Sequence, residues 1–321
     1  MKVIVFGGAG YLGSTLVPVL LSEGHQVTVF DNLSFGPEPL GPCLTHDNFK
    51  LRTGDIRDIK AVVEALEGQE AVVILAALVG EAACDRNPAE TVAINYLGTV
   101  NIMKAAAYFG VKRCIFSSTD SCYGAQENVF LTEESPLRPI SLYAELKVKV
   151  EEEFFNLPRP ENFHPTILRL ATLYGLSPRM RFDLVINLLA REAAVGNGAK
   201  IFSGEQWRPL VHVRDAAKAF ALALAAPADL VSGQVFNVGS NRQNVQFKDL
   251  AAILLKVMPE AKIETVPQPP DLRDYHVCFD KISRVLQFAP DLEPTDGIRE
   301  IRDALLSGYF GDPYDQKYRN A

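Results

Sequence analysis

This 321-residue chain has no long apolar run. A helix crossing a bilayer needs about 20 mostly apolar residues in a row, so no membrane span is expected. The opening Met1-Lys2-Val3-Ile4-Val5-Phe6 meets glycines too soon for a secretory leader and reads as a first β-strand. A basic excess is missing too. The net charge of −7 offers no field for nucleic acid, although a local anion site stays open. Cysteine and histidine are scarce, five of each, and neither clusters. Cys43, Cys84, Cys114, Cys122 and Cys278 lack metal-ligand spacing, and their odd number suits reduced thiols in the cytoplasm. No metal is expected. Internal repeats and low-complexity segments are absent as well. The length implies one large domain with a smaller lobe.

What is present is alternation. Short apolar runs at 3–6, 26–30, 49–53, 71–76, 113–117 and 166–170 read as buried strands. Amphipathic stretches at 12–23, 59–66, 88–109 and 143–155 read as helices between them. Strand, helix, strand at this spacing predicts βαβ units and a doubly wound parallel α/β sheet. After Tyr174 the pattern loosens. A helix is expected at 184–195, further pieces at 200–202, 213–225, 235–238 and 247–257, a loop at Pro267–Pro270 and a last helix at 298–306. Residues 1–174 are therefore read as a dinucleotide-binding, Rossmann-type domain. Residues 175–321 are read as mainly a substrate-binding lobe, with 213–240 returning to the first domain.

The stretch "VIVFGGAGYLGS" carries Gly7, Gly10 and Gly13 from a strand into a helix. One glycine permits a tight turn, one lets the backbone approach a pyrophosphate, and one lets helix close on strand. The helix N-terminus near Tyr11 and Leu12 adds partial positive charge. Asp31 closes the second strand, where a carboxylate accepts ribose hydroxyls and repels a 2′-phosphate. NAD is favoured over NADP. Asn32 follows it, Asp55 and Ile56 are placed to flank the adenine, and Ala76 and Ala77 to pass beneath the cofactor.

Tyr143 and Lys147 stand four residues apart on a helix and share a face. A free tyrosine titrates near pH 10. A nearby ammonium and a nicotinamide cation lower that value and make the phenol a usable general base. A hydroxyl from Thr119 would hold the same substrate oxygen.

With "GGAGYLG", Asp31, "GDI" at 54–56, Asn95 in "NYLGT", "SSTDSCYG" and "YAELK" in this order, the chain resembles the extended short-chain dehydrogenases/reductases. The nearest likeness is to their nucleotide-sugar epimerases and dehydratases. "LRLATLYG", "RPLVHVRDAA", "FNVGS" and "DLRDYHVCFDK" extend the likeness over nearly the whole chain. The resemblance implies tightly held NAD, with Asn95 and Ser117 joining the cofactor residues. It also implies a Thr119–Tyr143–Lys147 catalytic set and a nucleoside diphosphate sugar in the carboxy-terminal lobe. Arg208 and Arg273 stand where the family places phosphate contacts, and Thr172 where it often has an asparagine. Family dehydratases read similarly to Thr-Asp-Glu at the active-site threonine, the aspartate as acid and the glutamate as base. Here the residues are Thr119-Asp120-Ser121, and serine is a poor base at neutral pH.

Epimerisation through a transient 4-keto sugar is therefore the leading expectation. Dehydration with Asp120 as acid and reduction of a keto sugar are the alternatives, with a dinucleotide sensor or an RNA-binding chain of the same fold as non-enzyme readings. Cys122 is expected to be a buried thiol, Glu145 a solvated carboxylate facing away from Tyr143 and Lys147, and Trp207 or Phe202 either core or a stacking surface for a base. The resemblance also implies a homodimer through the helix after Pro88 and the helix of Tyr143.

Overall fold

Strand β1 (Lys2–Phe6) is buried at every residue after Lys2. Its side chains alternate between two cores. Val3 and Val5 join one apolar cluster, Ile4 and Phe6 the other. A strand covered on both faces needs such an uninterrupted apolar run, which is why its sequence shows no polar alternation. In the computed structural model, which describes residues 1–157, 160–202, 204–267 and 274–320, β1 lies inside a seven-stranded sheet. The other strands are β2 (Gln26–Asp31), β3 (Phe49–Thr53), β4 (Ala71–Ile74), β5 (Arg113–Thr119), β6 (His164–Leu170) and β7 (Gln234–Val238). Their order is β7-β6-β5-β4-β1-β2-β3, with every pairing parallel. This is the doubly wound dinucleotide-binding arrangement, and its switch point falls between β1 and β4.

Helices α1 (Gly13–Ser22), α2 (Ile59–Leu66), α3 (Thr99–Tyr108), α4 (Leu142–Asn156) and α5 (Val213–Ala225) are prominent among those that accompany the sheet. The Asp58 side chain accepts the N–H groups of Lys60 and Ala61 and starts α2 where the sequence places it. The stretch expected as one helix from 88 to 109 is instead three pieces. A turn of α-helix (Pro88–Thr91) leads into a π-helical segment (Val92–Gly98) and then into α3. The last helix begins earlier than its apolar pattern suggests. It runs Pro294–Leu306 because Glu293 and Asp296 form a reciprocal capping box at its start.

The chain leaves the sheet after β6. Thr172–Tyr174, Trp207–His212 and Asn244–Gln246 form a three-stranded sheet of their own. Ala199–Phe202 pairs with Ile263–Val266, and Asp274–Val277 pairs with Ala125–Leu131. β7 then rejoins the main sheet beside β6. Among the described residues no helix is long and apolar enough to cross a membrane. The Pro267–Pro270 loop lies mostly outside the described residues, as does Arg273.

Candidate active site

A cleft of about 700 Å³ opens at the carboxyl ends of β1, β4 and β5, between the sheet and the later segments. Its floor is the glycine loop. Gly7 sits at φ +84°, and a Cβ there would come within 2.5 Å of the Ala76 nitrogen. A Cβ on Gly13 would meet the Gly7 oxygen at 2.4 Å. Any side chain at either position would push loop from strand or helix from loop. Leu12 caps α1 without a side-chain acceptor, and Leu12 and Gly13, at the start of the helix, both line the cleft. That is an anion seat.

Asp31 holds this loop in shape. Its two carboxylate oxygens accept N–H bonds from Ala9 and Leu33, both at 2.9 Å. Burial raises the carboxyl above its ordinary value, against the pull of those two bonds. Each oxygen keeps a further lone pair, which fits a ribose diol. Asn32, Asp55, Ile56, Ala76 and Ala77 also line the cleft, as do Gly10, Tyr11 and Leu12. Tyr11 points towards the later part of the chain. Its hydroxyl donates to the Gly175 carbonyl at 2.6 Å and accepts from Asn187 at 3.1 Å, so it ties the glycine loop to that part.

At the other end, β5 delivers Ser117 and Thr119 and α4 delivers Tyr143 and Lys147, all lining the cleft. The Ser141 side chain accepts the Ala144 N–H and fixes the start of α4 two residues before Tyr143. The Lys147 ammonium donates to the Ser117 carbonyl at 2.6 Å. It lies 4.6 Å from the Phe116 ring centre and 5.7 Å from that of Tyr143. Burial brings its pKa down to about 8. Against the lowering expected from a neighbouring lysine, the Tyr143 phenol is pushed up, first by burial and then by Cys122 and Cys84, while Arg181 opposes the rise. The Thr119 oxygen accepts the Ser121 N–H at 3.2 Å, which leaves its own hydroxyl proton to donate into the cleft. Asp120 is buried at the same wall.

Two further walls come from the later segments. Thr172 and Arg208 line the cleft as the sequence suggests, and Phe247 and Tyr275 join them. The Arg208 guanidinium lies 5.2 Å from both of those rings. Trp207 does not line the cleft. It stacks on His276 at 4.4 Å with the rings nearly parallel; the side chain of Phe202 is outside the described residues. Asn95 does not line the cleft either. Its amide donates to the Leu78 carbonyl and accepts the Leu78 N–H, each at 2.8 Å, and so sets the loop after β4 from behind. Cys122 is fully buried among Ser118 and the Ala144 carbonyl, its thiol pushed up to about 12 by burial. Glu145 is exposed.

Sequence reasoning missed Arg179, Arg181 and Asp183, which also line the cleft. The only signal was a pair of arginines two apart in "SPRMRFD", in a stretch read as the start of a new section.

A glycine loop at the switch point, a strand-end carboxylate and a Thr–Tyr–Lys set on one cleft define a nicotinamide-dinucleotide enzyme of the short-chain type. The sequence profile described as "NAD dependent epimerase/dehydratase family" matches residues 3–239. The chain belongs to that family and is an NAD-dependent nucleotide-sugar epimerase/dehydratase. It is 32% identical over 255 residues to a UDP-glucose 4-epimerase of Corynebacterium glutamicum, covering 75% of each chain. Its fold matches the crystal structure of a dTDP-glucose 4,6-dehydratase from Streptomyces venezuelae with NAD bound. That match has a TM-score of 0.85 and 26% identity, over 97% of this chain and 98% of that one. A UDP-glucose 4-epimerase of Thermotoga maritima with UDP-glucose gives a TM-score of 0.84 and 27% identity, over 96% and 100%.

Proposed function

We propose that the enzyme epimerises a nucleoside diphosphate sugar at C4. The observation that carries this reading is the wall Thr119-Asp120-Ser121, where a threonine, an acid and a non-basic residue meet Tyr143 on one cleft. NAD, when bound, supplies a hydride acceptor with a cationic ring. Tyr143 takes the proton of the C4 hydroxyl as the hydride leaves that carbon, and Thr119 donates to the same oxygen. Lys147, fixed on the Ser117 carbonyl, counters the phenolate charge and holds the cofactor's ribose. The 4-keto sugar would then turn in the cleft and could take hydride back on its other face, with Tyr143 returning the proton. Asp120 binds a sugar hydroxyl in this scheme. Arg208 meets the diphosphate with its guanidinium fork, beside Phe247 and Tyr275.

In this reading residues 1–174, rejoined by 213–240, hold the cofactor, and the rest of 175–321 grips the substrate. The chain works as a homodimer. The support is a set of exposed apolar side chains near and on two adjacent helices: Leu97, Tyr108 and Phe109 around α3, and Phe155 on α4. Lys104 and Glu153 bridge those helices at 3.8 Å. Five free cysteines favour a reducing compartment, the cytoplasm.

The test is NMR of the enzyme in heavy water with a panel of nucleotide sugars and no added cofactor. The expected product is a C4 epimer without solvent deuterium, and Tyr143→Phe lowers the rate by about 10²–10⁴-fold. A product that has lost water and gained deuterium would replace epimerisation by dehydration, with Asp120 as acid and the base still to be found.

A further inference from the structure

Arg179 is a buried cation with little to hold it. It is 3% exposed, and among the described residues no carboxylate pairs with it. Its two terminal nitrogens donate to the carbonyls of Met180 and Arg319, at 3.4 and 3.1 Å, and its Nε has no partner. The guanidinium lies 3.6 Å from the ring centre of Phe35. Its neighbour Arg181 differs, being held bidentately by Asp183.

The position of Arg179 is built rather than incidental. The Ser177 hydroxyl donates to the Tyr11 carbonyl at 2.7 Å, and the Arg179 N–H donates to the Ser14 hydroxyl at 3.3 Å. Tyr11 belongs to the glycine loop and Ser14 to the first turn of α1. The segment that carries Arg179 is therefore fastened to the anion seat, while Phe35 stands in the loop after Asp31, on the adenosine side. A charged group desolvated here without a counter-charge is costly unless a ligand supplies one. Burial, with the nearby charge of Arg181, brings the Arg179 pKa down to about 10, so it stays protonated at neutral pH.

We propose that Arg179, delivered from outside the glycine-loop unit, neutralises the diphosphate of bound NAD. This rests on NAD as the occupant of the glycine-loop cleft. A diphosphate could reach the cleft on the cofactor or on the sugar nucleotide. The ties to Tyr11, Ser14 and Phe35 assign Arg179 to the cofactor, and Arg208 remains with the substrate. The consequence is retention: NAD is gripped from two parts of the chain and stays through both hydride transfers.

Arg179→Met and Arg179→Lys enzymes are compared with wild type by NAD released per chain on denaturation. ADP, adenosine and UDP are then titrated into cofactor-stripped protein by calorimetry. Arg179→Met should lose NAD occupancy and weaken ADP about ten- to a hundredfold, with adenosine and UDP unchanged and Arg179→Lys in between. Unchanged NAD occupancy and ADP affinity would overturn the assignment. So would an equal loss for adenosine, which marks a distorted fold, or a loss confined to UDP, which moves Arg179 to the substrate. Wild-type protein that binds neither NAD nor ADP would instead sink the cofactor reading itself.

Discussion

Lys147 carries two demands that conflict. It must be buried to reach the Ser117 carbonyl and the Tyr143 ring, and burial disfavours its charge. Its pKa falls from 10.5 to about 8, a cost on the order of 3 kcal/mol to the cofactor-free fold while the group is charged. The folded value lies below the unfolded one. Between about pH 8 and 10.5 the unfolded chain therefore binds more protons, and stability gains with rising pH. Below pH 8 the cost is present in full. Wild type should gain stability relative to Lys147→Met as pH rises from 8 to 10, read as the difference in urea midpoints of the cofactor-free proteins. Subtracting the variant cancels the buried groups that titrate in the same range without sensing the Lys147 charge, which Cys84 and Cys122 do sense. A difference that stays flat across this range refutes the burial argument. Lys147 and Tyr143 were legible in the sequence because a four-residue spacing fixes two side chains on one helix face. Arg179 was not, since its place depends on Ser14, 165 residues away.

Elements were legible where their signals are local. α2 starts at its aspartate cap, and β1 shows its burial as an apolar run. The stretch 88–109 has helical periodicity throughout, yet its middle is a π-helix. Nothing local announces that, because the segment answers to a loop 17 residues earlier. Asn95 sits in the π-helical part and closes both polar groups of the Leu78 backbone. π segments often mark functional sites, and this one shapes the loop where Leu78, Val79 and Gly80 border the cleft. Asn95→Ala should cost roughly 1–3 kcal/mol through the unsatisfied Leu78 groups and speed NAD release. Asn95→Asp keeps the acceptor and should lose less stability than alanine. Denaturant midpoints and a cofactor off-rate measure both effects, and an alanine variant that matches wild type in each would remove Asn95 from the loop's support.

At the scale of the molecule, a parallel sheet with helices on both faces followed from the alternation of strand and helix signals, and Thr172 and Arg208 followed from resemblance, but Phe247 and Tyr275 did not. Arg208, Phe247 and Tyr275 lie far apart in sequence and meet only after the chain has left the sheet and built the three-stranded sheet that pairs Trp207–His212 with Asn244–Gln246. The proposed homodimer would be a further property of the whole surface. Tyr108 is 86% exposed at the end of α3, next to the exposed Phe109, and a contiguous apolar patch of this kind marks an interaction surface. In a two-fold dimer each such residue meets the partner's copy of the same patch, so one substitution acts twice. Tyr108→Glu should therefore shift the light-scattering mass from about twice 35.3 kDa to 35.3 kDa at micromolar protein, without loss of bound NAD, because the cleft is built within one chain. Wild type that already runs as a monomer would exclude the dimer. A variant that loses NAD along with its partner would show that association, rather than the single chain, holds the cofactor cleft in shape.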